Sequence, residues 1–317
     1  MDDALVLDRL QKRFAGHVAV RELTLRVPRG TIYGLLGPNG AGKSTTIRMA
    51  LAILARDGGT VRLLGADPAE NREILRRVGY LPEERGLYKK MRVLDVMVFF
   101  AELKGMDRRA ARAAAERWLE RLGLPEWGRQ KVQALSKGMQ QKVQFAVTVL
   151  HRPELVFLDE PTSGLDPINQ ELLREVIEEL RAAGTTVVLS THNMEQAEEL
   201  CSHVAILARG EKVLDGDLAA LKRVHRTDEV RLWLDDGATP PWSELGAAVR
   251  QAQPERDGSW TVRLAADDAL PAFLAWLAER HLPVRRLERR EPRLRELYVA
   301  RVGGTATTAG RRPDEAP

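Results

Sequence analysis

The glycine-rich segment GPNGAGKST contains the residues best suited to hold a chain of phosphates. Gly37 and Gly42 are separated by four residues, and Lys43 and Ser44 follow directly. Glycines allow backbone N–H groups to curl around a phosphate, and a helix start adds partial positive charge. Lys43 could then reach the β- and γ-phosphates, and the Ser44 hydroxyl could bind Mg²⁺. An apolar strand precedes the segment and a helical pattern follows it, so we favour a phosphate loop over an ordinary glycine-rich turn. The predicted nucleotide contacts are Gly37, Pro38, Asn39, Gly40, Ala41, Gly42, Lys43, Ser44 and Thr45.

Two carboxylates and a histidine come directly after apolar stretches that are typical of buried parallel strands. Asp159 and Glu160 end ELVFLDE, and His192 follows VVLST. Ligands of a doubly wound sheet bind beyond the carboxyl ends of its strands, so these side chains should converge on Lys43. We expect Asp159 to bind Mg²⁺, Glu160 to polarise a water, and His192 to contact the γ-phosphate or orient the carboxylate. Taken alone, such an acid can instead cap a following helix, and a lone histidine is more often structural.

A second possible anion site begins at LSKGMQQK, where Ser136 and Gly138 precede an amphipathic helical pattern. One nucleotide does not need two such helix starts. Two copies of the chain facing head to tail would place Ser136 and Gly138 of one copy against the γ-phosphate held by the other. The local sequence alone favours a simpler interpretation, in which Ser136 caps its own helix.

The elements that must position these residues alternate between apolar strands and amphipathic helices from Leu5 to Leu221, which predicts an α/β core. We place this domain at residues 1–221. Residues 222–302 predict a small α+β domain, with helices at WSELGAAVRQA, ALPAFLAWLAERH and RLRELYVARV. Residues 303–317 are rich in Gly, Thr and Pro, which favours a disordered tail.

Composition excludes several classes of protein. The formal net charge of the 317 residues is +4, which does not by itself indicate a nucleic-acid partner. Cys201 is the single cysteine, so an internal disulfide framework is excluded. The apolar runs are much shorter than the roughly 20 residues of a membrane-spanning helix, and the acidic N-terminus does not look like a secretory signal.

Taken together, the motifs resemble those of the ATP-binding subunits of ABC transporters, in the same order along the chain. GPNGAGKST resembles the Walker A loop, LSKGMQQ the ABC signature, LVFLDE Walker B, SGLD the D-loop and STH the H-loop. The resemblance implies a P-loop NTPase domain of the ABC type with a helical subdomain. It also implies that Phe14 stacks on adenine and that Asp166 belongs to the nucleotide site.

Two positions depart from the common family pattern. Lys137 and Met139 replace a glycine and the glutamine of the signature. Glu83, in GYLPEERGLY, stands where the family usually has a glutamine that contacts the metal. A carboxylate oxygen can still meet Mg²⁺ or its water, although it adds a negative charge.

These departures are similar to those of the sodium-efflux, NatA-like branch of the ABC-2 exporters, which also carries a C-terminal extension. The resemblance implies binding of ATP and Mg²⁺, a homodimer formed through the ATP sites, and a separate membrane permease at the cytoplasmic face of the cell membrane. Export of Na⁺ or drugs would then be the function, with no nucleic-acid partner. The alternative is a soluble ABC ATPase that acts on nucleic acid or the ribosome. The long coiled-coil insertion or second ATPase domain that such proteins usually carry is absent from the sequence.

Overall fold

The computed structural model describes residues 3–84, 86–225, 228–235, 239–242, 249–266 and 269–308. The chain divides into two compact units. The first unit runs from the N-terminal end of the chain to Leu218 and also includes the C-terminal segment that begins at Tyr298. The second unit is Ala219–Leu297. The division falls close to the expected boundary at Leu221.

The first unit contains, in chain order, β1 (Asp3–Phe14), β2 (His17–Pro28), β3 (Ile32–Leu36), α1 (Lys43–Ala50), β4 (Gly58–Leu63), β5 (Val78–Leu81), α2 (Val93–Leu103), α3 (Arg108–Arg121), α4 (Lys137–Val149), β6 (Leu155–Asp159), α5 (Pro167–Ala182), β7 (Thr186–Thr191), α6 (Met194–Leu200), β8 (His203–Ala208) and β9 (Glu211–Asp217). Helix α7 (Leu218–Val224) follows, and all of its residues after Leu218 belong to the second unit. Short 3₁₀ turns lie at Arg72–Arg77, Pro125–Arg129 and Val132–Ala134.

A six-stranded sheet in the order β5-β6-β7-β3-β8-β9 forms the centre of this unit. Its strands are parallel except β9, which pairs antiparallel with β8. Every residue of β3, β6 and β7 is buried, which explains why their sequences are mostly apolar and do not alternate between apolar and polar residues. The parallel order brings the carboxyl ends of β3, β6 and β7 to one edge of the sheet.

Two further layers complete the first unit. An antiparallel sheet in the order β2-β1-β4 packs against the central sheet and α1, with Leu7, Leu25, Ile47 and Phe157 in one shared core. Helices α2, α3 and α4 pack around a separate core that includes Val96, Ala115 and Val143. This second core is the expected helical subdomain, so the predicted fold class is confirmed.

The second unit contains β10 (Glu229–Leu234), β11 (Val249–Pro254), β12 (Trp260–Leu264), α8 (Leu270–Glu279), β13 (Val284–Arg289) and the start of α9 (Leu294–Thr308). Its antiparallel sheet has the order β11-β12-β10-β13, and Leu232, Val262 and Phe273 lie in its core.

Two expectations for the C-terminal region need correction. The helix predicted at WSELGAAVRQA is wrong from Val249 onward, because that segment pairs with β12 as β11; residues 243–248 lie outside the described part. Helix α9 continues to Thr308, past residue 302 where the disordered tail was expected to begin. Residues 309–317 of that tail are also outside the described part.

Candidate ATP site

The phosphate loop joins the end of β3 to the start of α1. Gly42 occupies the position before the helix with a φ of 102°. A Cβ atom at this residue would lie 2.5 Å from the carbonyl oxygen of Ala19, and one at Gly37 would collide with the Leu207 carbonyl. Both contacts are with backbone, which cannot move aside as a side chain can. Only glycine therefore fits at these two positions, and a glycine-containing loop before a helix is suited to wrap its backbone around a phosphate.

The side chain of Lys43 is held inside this loop by backbone carbonyl groups of the loop. Its Nζ donates to the Gly37 carbonyl at 2.7 Å and to the Pro38 carbonyl at 3.2 Å, and it lies 3.8 Å from Glu160 Oε1. Burial lowers the pKa of Lys43, and the nearby carboxylates of Glu160, Asp159 and Glu83 oppose that shift. The ammonium is thus a preplaced cation beside the loop that would take the phosphates.

Asp159 lies at the end of β6 and is fully buried. Its Oδ1 accepts a short hydrogen bond from the Ser190 hydroxyl on β7. Its Oδ2 has no hydrogen-bond partner among the described residues. A buried carboxylate oxygen without a donor is costly, and a cation or its bound water would satisfy it.

Glu160 follows directly and is oriented by β7 and the residues after it. The backbone N–H of His192 donates to Glu160 Oε1 at 3.0 Å, and His192 Nδ1 lies 2.8 Å from the same oxygen. The Thr191 hydroxyl donates to Oε2 at 3.3 Å. Glu160 itself adopts a left-handed backbone conformation, with φ of 49°. Such a conformation costs about 1–3 kcal/mol outside glycine, so the surrounding contacts must hold it in place.

A cleft of about 490 Å³ lies between the phosphate loop and the antiparallel sheet, and of the groups described above Lys43 and Glu160 line it, whereas Asp159 and His192 do not. Phe14 at the end of β1 and Glu83 after β5 line it together with Lys43, Ser44 and Glu160. Phe14 is 44% exposed, which leaves its ring accessible to a planar ligand. The remaining lining residues are His17, Ala19, Asn39, Gly40, Gly42 and Thr45. A larger cavity of about 640 Å³ lies between α3 and α5, but none of these groups lines it.

Ser136, Gly138 and Asp166 do not line the cleft of their own chain. Ser136 Oγ accepts from the Met139 N–H at 3.2 Å and so caps α4. Asp166 caps α5 in the same way, through the Asn169 N–H at 3.0 Å, and these backbone donors lower the pKa of Asp166. Within one chain, both residues act as ordinary helix caps.

Sequence reasoning did not identify several residues that shape the site. Lys12 lies with its Nζ 5.4 Å from the Phe14 ring centroid, and His17 lines the cleft next to it. Ser190 and Thr191 lie in the STH segment that resembles the H-loop, but sequence reasoning assigned no role to their hydroxyls, which hold the two acids. Hydroxyl residues at the end of an otherwise apolar strand are the signal that could have revealed this role.

Comparison with known proteins places the chain in a family. Residues 20–163 match the family model described as ABC transporter. The chain is 39% identical over 307 residues to the uncharacterized ABC transporter ATP-binding protein YhaQ of Bacillus subtilis, covering 94% of this chain and 98% of that protein. The chain therefore belongs to the ATP-binding proteins of ABC transporters. It binds ATP and hydrolyses it.

Other relatives lie among the exporter proteins that the sequence suggested. The daunorubicin/doxorubicin resistance ATP-binding protein DrrA of Streptomyces peucetius is 33% identical, covering 96% of this chain and 93% of that protein. The ABC transporter ATP-binding protein NatA of Bacillus subtilis is 34% identical, covering 67% of this chain and 87% of that protein. A solved ATP-binding subunit of an ABC transporter superposes with a TM-score of 0.66 at 30% identity, covering 70% of this chain and 92% of that one. The resemblance to the ABC-2 exporter ATPases is confirmed.

No helix in the described parts of the chain is long and apolar enough to cross a lipid bilayer.

Proposed function

We propose that this chain is the ATP-driven subunit of an exporter whose transmembrane permease is a separate protein. The observation that carries the proposal is the cluster at the sheet edge, where Lys43 and His192 both lie within ion-pair or hydrogen-bond distance of Glu160. Phosphoryl-transfer sites work mainly by positioning and by charge stabilisation, and this cluster supplies both. The names of the DrrA and NatA relatives support the assignment to transport.

We further infer that the site binds Mg²⁺ with ATP. Ser44, Asp159 and Glu83 would hold the ion or its waters, which supplies charge neutralisation at the phosphates. The unpartnered Oδ2 of Asp159 fits such a role, since oxygen ligands suit Mg²⁺. Glu160 would act as the general base for the attacking water, and His192 would keep its carboxylate in place. Phe14 would stack on the adenine ring.

A homodimer formed around two ATP molecules explains why Ser136, Gly138 and Asp166 lie away from the cleft of their own chain. A second copy would place them against the nucleotide of its partner. Ile168, two residues beyond Asp166, is 83% exposed. Contact with a second copy at this face would remove that apolar side chain from water.

A membrane partner would dock on the helical subdomain beside Glu83. The rings of Tyr88, Phe99 and Phe100 lie 5.6–5.9 Å apart at the surface of α2. Tyr88 and Leu103 are 52% and 58% exposed. This aromatic patch supports attachment of an apolar segment of a permease, with the chain located at the cytoplasmic face of the membrane. Na⁺ or a drug is the candidate cargo, and the cargo itself would be selected by the permease.

Trapping the ATP-bound state tests this function. A tagged Glu160→Gln variant would be held with ATP and Mg²⁺ in its native membranes, and the co-purifying proteins would be identified by mass spectrometry. A multi-helix membrane protein should co-purify, and it should be lost without ATP or when Lys43→Ala is added. Recovery of ribosomes or nucleic acid without a membrane protein would overturn the exporter assignment in favour of a soluble ABC ATPase.

A further inference from the structure

Helix α4 carries two buried glutamines on one face, Gln141 and Gln144, each 6% exposed. Residues three apart in a helix lie side by side, so both amides point from α4 toward the central sheet. A buried amide without partners is unfavourable, and these two are satisfied almost entirely by loops of the ATP site.

Gln144 holds the loop that carries Glu83. Its Nε2 donates to the Glu84 carbonyl at 3.1 Å and, at the longer distance of 3.5 Å, to the Pro82 carbonyl. Its Oε1 accepts from the Gly86 N–H at 3.3 Å. One side chain thus binds the backbone on both sides of Glu83. The described residues on either side of position 85 belong to neither a helix nor a strand, so these bonds take the place of regular backbone pairing there.

Gln141 makes the corresponding contact with the turn that follows Glu160, which is called the Glu160 turn below. Its Nε2 donates to the Pro161 carbonyl at 3.0 Å, directly after Glu160. The Glu160 turn is closed by the Ser163 N–H, which donates to the Glu160 carbonyl at 3.1 Å. Glu160 is held in a left-handed conformation, so the position of the turn after it determines where its carboxylate points.

We propose that Gln144 and Gln141 are positioning residues that fix the Glu83 loop and the Glu160 turn to the same rigid helix. A shift of α4 would move both loops together, because each is bonded to it through a buried amide. Ser136 and Gly138 lie at the start of this helix. Any movement of α4 on nucleotide binding would therefore displace both the proposed metal ligand Glu83 and the proposed general base Glu160, each through a separate hydrogen-bonded contact. The catalytic consequence rests on the roles proposed above for Glu83 and Glu160.

The two contacts predict different defects. Gln144→Met keeps the length of the side chain but removes its hydrogen bonds to the Glu83 loop, so the half-saturating Mg²⁺ concentration for ATP binding should rise about tenfold. Gln141→Met should leave that concentration unchanged and lower kcat about tenfold, with little change in KM for ATP. Mg²⁺-dependent binding would be measured with a fluorescent ATP analogue in a Glu160→Gln background, which removes hydrolysis from the measurement.

Thr148→Val is the matched control. Thr148 is 5% exposed on α4, and its hydroxyl lies 2.9 Å from the Gln144 carbonyl of the same helix and 3.3 Å from the Tyr80 carbonyl on β5. This variant also removes a buried hydrogen bond of α4, but it leaves the Gln141 and Gln144 side chains and their bonds to the Glu160 turn and the Glu83 loop in place. It should lower thermal stability and leave the Mg²⁺ response and kcat at their wild-type values.

Hydrogen exchange provides a readout that does not depend on activity. The Gly86 amide should exchange about fivefold faster in Gln144→Met, and the Ser163 amide about fivefold faster in Gln141→Met, as expected for the loss of about one hydrogen bond. Neither amide should change in Thr148→Val. Equal effects of all three variants on both amides, or unchanged exchange in folded Gln144→Met and Gln141→Met, would overturn the proposal. If Glu83→Ala leaves the Mg²⁺ response unchanged, the metal role of Glu83 fails instead, and the Gly86 exchange rate still decides whether Gln144 holds the loop.

Discussion

Replacing Glu160 by glutamine should separate ATP binding from ATP hydrolysis. The substitution keeps the shape of the side chain, and its Oε1 can still accept from the His192 N–H, which lies 3.0 Å away. The surrounding turn should therefore keep its conformation. The lost properties are the negative charge and the ability to take a proton from water.

The charge change should tighten ATP binding. Glu160 Oε1 lies 3.8 Å from Lys43 Nζ, and both side chains are nearly buried. At this distance two unit charges attract by about 1 kcal/mol at the dielectric constant of water and by about 4 kcal/mol at an effective dielectric constant of about 20. Removing the carboxylate frees the ammonium for the phosphates. We take the lower value of about 1 kcal/mol because the Lys43 ammonium keeps its hydrogen bonds to the Gly37 and Pro38 carbonyls. This free energy corresponds to about fivefold tighter ATP binding.

The loss of the general base should reduce hydrolysis by about 10²–10⁴-fold. Fluorescence titration would measure ATP affinity, and single-turnover phosphate release would measure hydrolysis. Glu171→Gln is the control. Glu171 pairs with Arg174 on the surface of α5, so this substitution makes the same chemical change away from the cleft. A Glu160→Gln variant that keeps half of the wild-type hydrolysis would refute the assignment of Glu160 as the base. Weaker ATP binding by this variant would refute the argument from the charge of Glu160.

Three further outcomes are expected. Gly42→Ala should abolish ATP binding in titrations and cost about 1–3 kcal/mol of stability, because its Cβ would meet the Ala19 carbonyl at a residue with positive φ; a variant with wild-type affinity would contradict the loop geometry. Ile168→Asp should leave monomer stability unchanged but abolish ATP-dependent dimerisation of the Glu160→Gln protein in size-exclusion chromatography, and a persistent dimer would exclude this surface. Burial and the nearby Lys104 ammonium lower the pKa of His151 to about 4 from 6.5. The unfolded chain therefore binds more protons between these values, so up to about 3 kcal/mol of stability present above pH 6.5 should be lost as the pH falls toward 4. Denaturant melts should show that this pH-dependent loss is absent in His151→Phe, and an identical loss in both proteins would refute it.

The main features of the ATP site were predictable from sequence because each depends on a local pattern. The spacing from Gly37 to Ser44 fixes a loop, and continuous apolar runs before Asp159 and His192 place both residues at strand ends. The parallel order of the sheet then brings them together. The contact between Glu160 and His192 follows from this arrangement with little help from distant parts of the chain.

The contacts made across the chain were not predictable in the same way. Gln141 and Gln144 sit in a helical sequence where glutamine usually faces solvent, and only packing against the sheet shows that they are buried. Val249–Pro254 lies in a segment whose alanines and glutamines favour a helix, yet pairing with β12 makes it a strand. At the two α4 glutamines and at β11, tertiary contacts override the preference of the local sequence. Such contacts between distant segments cannot be read from a single sequence.

The left-handed backbone at Glu160 has a consequence for efforts to make this protein resist heat. Glycine or asparagine would occupy that conformation more easily, so either could relieve strain and raise the melting temperature. Selection for thermal resistance alone would therefore accept substitutions that discard the carboxylate on which we expect hydrolysis to depend. Stability and turnover are opposed at this one residue, and an engineering campaign would have to score both to avoid enriching inert proteins.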